Sequence, residues 1–290
     1  MRTNWIDGAK GIAMLMVIAV HFAQSFSFLP MKVFSFGAMG VQLFFIVSGY
    51  CLCMKINKEG GGSIIGRYRR LIPWYVAGML TYATWYWAVG DSVALANYTI
   101  VNVVANAFMV NTFLPSAQNT IVPGGWSISC IALFSFLFPF FLSATRQVRF
   151  KMLFSVACLG LFITTIGYLL LGWSRQYSYC SLFNQFIVFA IGAAYFKLRQ
   201  TPTAQELKNC FLVFVSIIMF LLAVLCVAID RGNSILYRHI LISGCFCCIL
   251  LLLERGEKFI PFWLLWIGRH SYEIFILHFA VIWSVERMFT

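Results

Sequence analysis

Near the start of the chain, the apolar run "DGAKGIAMLMVIAVHF" carries Lys10 and His21. Eleven residues of α-helix make three turns plus about 20°, so the two share one face, with about 16 Å of rise between them. Asp7, three residues before Lys10, falls near the same stripe. A cation at one mouth of a membrane would then stand in line with a titratable imidazole at mid-depth. Ionisable groups inside a membrane are costly and mark function by default. The plainer reading makes Lys10 a topogenic anchor and His21 a core histidine bonded to a neighbouring helix.

Two further clusters invite similar questions. In "GRYRRLIPWY", Arg67 and Arg70 point the same way at the start of a span, with Pro73 near its first turn. Guanidinium groups on one face suit bidentate capture of phosphate, although topogenic charge alone also accounts for them. In "GRHSYEIFILHFAV", His278 sits mid-span on the same face as Ser271, while Glu273 lies in the first turn. A buried pair, a proton path and a structural hydrogen bond all fit. His239 and His270 lie near span ends and read as interfacial.

Lipid is the environment these residues must be positioned in. The 290-residue chain is 61% hydrophobic and 10% charged, with a mean hydropathy of +0.86. Soluble domains run at roughly 45–50% apolar and about 25% charged. Apolar runs recur along nearly the whole length and lack the alternation of a barrel strand, so helices are expected to satisfy their own backbone groups. Candidate spans cover 12–29, 37–54, 72–90, 127–143, 153–172, 183–198, 211–229, 236–253 and 271–288. The fold class expected is all-α, a polytopic transmembrane bundle of about nine or ten spans, with residues 1–290 as a single domain.

The net charge of +12 does not point to nucleic acid. If the spans alternate, 16 of the 21 basic residues fall on one side, the positive-inside pattern of a cytoplasmic N-terminus. Ten cysteines lack metal-ligand spacing and read as helix packing. The uncharged stretch 92–125 is too polar in its second half for a simple crossing and is expected to be re-entrant or interfacial. "FIPFWLLWIG" has the Trp-rich look of an interfacial helix.

Taken together, the constellation resembles the acyltransferase 3 family of integral membrane O-acyltransferases. "WIDGAKGIAMLMVIAVHF" is similar to its opening pattern, with Lys10 where arginine is commoner. "GVQLFFIVSGY" resembles the second-span motif, with Gln42 at a position often held by aspartate. "RYRR" matches the paired arginines, "PGGWSISCIALFSFLFP" the tryptophan-to-proline motif, and "IGRHSYEIFILHF" the closing block. Ile131 stands where the tryptophan motif usually carries glutamate.

The resemblance implies transfer of an acyl group, usually acetyl from cytoplasmic acetyl-CoA, to a hydroxyl of a surface or lipid-linked glycan. No metal is expected, and the setting implied is a bacterial inner membrane with its lipids. In that scheme His21, with Asp7, is catalytic, acting as general base or acyl carrier. Lys10, Arg67 and Arg70 bind the donor, while Gln42, Ser48, Trp126 and His278 line the acceptor path. Some relatives carry an extra soluble domain, for which the spans of this sequence leave no room. The competing expectations are a transporter in which His21 and His278 relay protons, and an inactive scaffold of a polysaccharide-synthesis complex.

Overall fold

The computed structural model describes residues 3–26, 35–59, 64–143, 147–200, 205–229 and 235–289. Among these the chain is almost wholly helical. Its α-helices are α1 (Asn4–Ser25), α2 (Gly40–Glu59), α3 (Ile64–Val89), α4 (Ser92–Ala96), α5 (Ile100–Ala107), α6 (Gly125–Leu137) and α7 (Phe150–Leu170). There follow α8 (Arg175–Cys180), α9 (Leu182–Gln200), α10 (Gln205–Ile229), α11 (Ile235–Arg255), α12 (Phe262–Arg269) and α13 (Ser271–Phe289). Each of the nine expected spans falls on one of these helices. Five stretches among the described residues are long and apolar enough to cross a bilayer, and shorter apolar helices accompany them. The fold is an all-α transmembrane bundle. Large apolar side chains such as Leu159, Phe162, Phe211 and Leu221 stand exposed on its flanks, as side chains facing lipid rather than water do.

Several boundaries differ from the sequence reading: α1, for one, begins at Asn4 rather than near residue 12. Residues 27–29 of the first span lie outside the described residues. The third span is preceded by more than two further turns of helix, so Pro73 lies inside α3 rather than at its start. Proline lacks an N–H, which leaves the carbonyl four residues earlier, at Arg69, without its intrahelical donor. The fourth span is a helix only to Leu137 and continues as a 3₁₀ turn, Phe138–Phe141, around Pro139.

Interlocking side chains bring the charged ends of the helices together. Trp5 stacks edge-on against Tyr50 at 5.0 Å, and Tyr50 lies 5.8 Å from Tyr195. Beside them Arg199 pairs with Glu254 at 2.8 Å, and Lys197 sits 4.7 Å over Phe150. The start of α1 and α7 and the ends of α2, α9 and α11 therefore meet at one end of the bundle. Glu257 completes that end by accepting the backbone N–H of Asn4 at 2.6 Å, capping α1 where Thr3 makes no side-chain cap. Opposite, Arg238 lies over Phe36 and Arg287 over Trp85.

Small residues set the tightest crossing. A side chain at Gly49 would strike the carbonyl of Phe189, and one at Gly192 that of Ile46. This is the close backbone approach that drives helix association where lipid supplies no hydrophobic push. The stretch between α3 and α6 is irregular, as expected, and protein satisfies its backbone. Asn106, fully buried, accepts from Tyr75 Oη at 2.9 Å and donates to the carbonyls of Asn102 and Ala117. Its outer face is apolar, with Ile100, Val101 and Phe108 exposed on or beside α5. Among the described residues no disulfide joins the cysteines, and Cys53, Cys130, Cys180 and Cys247 are buried.

Candidate active site

Asp7 is the centre of the charged end. It is 3% exposed, and its carboxylate faces Lys10 Nζ at 3.8 Å and Arg269 Nε at 3.3 Å. A buried carboxylate is tolerated when paired in this way, and here it holds two cations that remain one-third exposed. Gly268 makes the pairing possible. A side chain there would collide with the backbone of Asp7, and one at Gly11 would meet the carbonyl of Leu264. The short helix α12 consequently lies directly on the first turns of α1 and delivers Arg269 to Asp7.

Lys10 and Arg269 open onto a cavity of about 210 Å³ that also takes in Arg70. Cations line part of its wall. Phe44, Phe45, Trp74, Ile128 and Ile131 make much of the rest apolar. Glu273 contributes a carboxylate whose Oε2 is buried without a hydrogen-bond partner among the described residues. The position where the tryptophan motif usually carries glutamate, Ile131, thus faces the same cavity as a carboxylate supplied from α13. Phe275 forms part of the wall, and its carbonyl accepts from Nδ1 of His278 at 2.6 Å.

His278 lies beside His21, with ring centroids 5.3 Å apart and planes inclined by 39°. Phe279 packs on both, at 4.2 Å from His21 and 4.4 Å from His278. The Nδ1 of His21 bonds to Gln24 Oε1 at 2.7 Å. Tyr82 fixes the neighbouring turn of α13 by donating to the Ile276 carbonyl at 2.7 Å. Two imidazoles from opposite ends of the chain therefore share one mid-bundle site, about one turn beyond the cavity wall at Phe275.

The remaining expected residues separate into groups. Fourteen residues divide Asp7 from His21, about 21 Å along α1. Asp7 orients cations and does not touch the imidazole. Arg70 lines the cavity, whereas the side chain of Arg67 lies outside the described residues. Gln42 is fully buried and donates from Nε2 to Tyr179 Oη and to Gln185 Oε1, each at 3.0 Å. Trp126 joins it by an edge contact of 5.6 Å with Tyr179, and Phe45 lies 6.0 Å from Trp126. This pair backs the cavity without reaching the imidazoles. Ser48 is half-buried, two residues before Tyr50 and so toward the charged end.

Arg269 and the Gly268 contact escaped the sequence reading, which counted Arg269 only as topogenic charge. Their signal was the Gly-Arg ending of the Trp-rich helix, and its partner lay some 260 residues away.

A bundle with apolar flanks, a cation-lined cavity and paired imidazoles in its interior defines an integral membrane protein. A family model of the acyltransferase 3 type, described as an acyltransferase domain, matches residues 3–290. The chain belongs to this family and is by membership a membrane acyltransferase. No curated protein and no solved structure matches it.

Proposed function

We propose that the protein moves an acetyl group from acetyl-CoA, entering at the charged end, to a hydroxyl of a surface or lipid-linked glycan. The observation that carries this reading is the cavity itself. Lys10, Arg70 and Arg269 line it, and its apolar wall reaches Phe275, whose carbonyl holds His278 beside His21. The cations suit the donor's phosphates, Arg as a bidentate fork and Lys as a point charge. The apolar wall suits the arm that carries the thioester. Glu273 offers an acceptor to an amide N–H or hydroxyl of that arm.

His21 acts as general base on the acceptor hydroxyl, through a ring nitrogen that can take and return a proton. The charged end faces the cytoplasm on this reading, in keeping with the excess of basic residues there, and the membrane is a bacterial inner membrane. Asp7 serves the reaction indirectly, by setting Lys10 and Arg269 against the donor.

The test is release of free thiol from acetyl-CoA by protein purified in lipid nanodiscs, with octyl glycosides as acceptors and the product identified by mass spectrometry. Acetylated glycoside appearing in step with thiol supports the reading. Hydrolysis without an ester product, or no turnover, contradicts it.

A further inference from the structure

The two imidazoles are alike in what they leave open. On each ring Nδ1 faces an amide oxygen, Gln24 Oε1 for His21 and the Phe275 carbonyl for His278. Neither oxygen has a hydrogen to give, so Nδ1 carries the proton on both rings and each Nε2 is a lone pair. For His278 this lone pair is conspicuous. The residue is 4% exposed, and its Nε2 is buried with no hydrogen-bond partner among the described residues.

A buried acceptor left in that condition is unfavourable until a donor reaches it. The other imidazole, His21, lies at 5.3 Å between centroids, and its Nε2 is an acceptor too, so the two cannot satisfy each other. Phe279 packs on both. A ligand with two adjacent O–H donors would satisfy both nitrogens at once.

We propose that the acceptor presents a vicinal diol, and that His278 holds the hydroxyl next to the one that is acylated. The inference rests on the acyl-transfer reading above and narrows its acceptor from a hydroxyl to paired hydroxyls. Oxygens on neighbouring carbons lie about a hydrogen bond's length apart, within reach of acceptors on adjacent rings. In the transfer step the reacting hydroxyl gives its proton to Nε2 of His21 while its oxygen bonds to the acyl carbon. The carbon–sulfur bond breaks with its electron pair on sulfur, and the thiolate recovers the proton from His21. The neighbouring hydroxyl keeps its proton throughout, so His278 is a specificity-determining residue. Saccharide rings carry such diols, and so does the glycerol headgroup of phosphatidylglycerol.

The experiment measures acetyl transfer in nanodiscs to octyl glucoside, galactoside and mannoside, to their single-deoxy analogues, and to phosphatidylglycerol. The wild type is expected to favour a diol over the analogue lacking the neighbouring hydroxyl by about tenfold to a hundredfold. In His278→Phe, which keeps an aromatic ring in the site, that ratio should fall to about one. In His278→Gln the side-chain oxygen can accept again, and part of the discrimination should return. A structural role for His278 would alter yield or melting temperature in these variants and leave the ratio alone.

A ratio unchanged in His278→Phe overturns the inference and leaves the acyltransferase reading standing. Transfer to phosphatidylglycerol alone, with the same sensitivity to His278, supports the diol inference and overturns the glycan acceptor. Absence of transfer to every diol overturns both.

Discussion

The charged end and the imidazole site are built on opposite terms. At the charged end one buried carboxylate, Asp7, holds two cations that stay partly exposed, and a third cation, Arg70, is exposed on the cavity rim. At mid-bundle two imidazoles bond to amide oxygens and lean on an aromatic ring. The first arrangement attracts a highly charged ligand from solution and holds it without deep desolvation of every charge. The second places two imidazole lone pairs side by side inside the bundle, where the proposed function has a proton taken from a weakly acidic hydroxyl and returned. On the function proposed above, binding and chemistry are divided between two regions joined by a cavity wall.

If that division holds, damage to the two regions should register in different kinetic constants. The largest effect is expected from His21→Ala, which removes the proposed base. Turnover should fall by about 10²–10⁴-fold while donor affinity changes little, as measured by thiol release and by equilibrium binding of labelled acetyl-CoA. A rise in KM with kcat intact would move His21 out of the chemistry.

Asp7→Asn should do the reverse. Loss of the buried carboxylate frees Lys10 and Arg269 from their fixed geometry. We expect donor KM to rise about tenfold and the protein to lose about 1–3 kcal/mol of stability, read from thermal melting beside the kinetics. Gly268→Ala should produce a weaker copy of this phenotype, because it lifts Arg269 away from Asp7 without removing either charge. A kcat effect for Gly268→Ala matching that of His21→Ala would break the division.

The smallest effect is expected from Arg70→Ala. An exposed cation contributes modestly and is screened by salt. Donor KM should rise about threefold at low ionic strength, and the difference should shrink as salt is added. A loss that persists at high salt would instead indicate a contact shielded from solvent.

Much of the frame was legible from periodicity and composition, since a lipid-bound helix must announce itself in about twenty apolar residues. The stripe joining Lys10 to His21 was legible too, because helical geometry alone places residues eleven positions apart on one face. What could not be read were the contacts between distant parts of the chain. Arg269 looked like one more topogenic charge until Gly268 placed it on Asp7. His21 and His278 were each read as functional candidates from their own spans, and the packing of α13 against α1 sets their rings side by side. Pro73 misled the reading of the third span, since proline favours a first turn yet sits here inside a longer helix.

The most direct test of the account uses a CoA thioester whose acyl group carries a photoreactive diazirine. After irradiation in nanodiscs, the labelled peptides are located by mass spectrometry, with and without excess acetyl-CoA. The account predicts competable labelling of the α1 and α13 segments that hold His21 and His278. Labelling confined to lipid-facing helices such as α7 and α10, unchanged by acetyl-CoA, would contradict it.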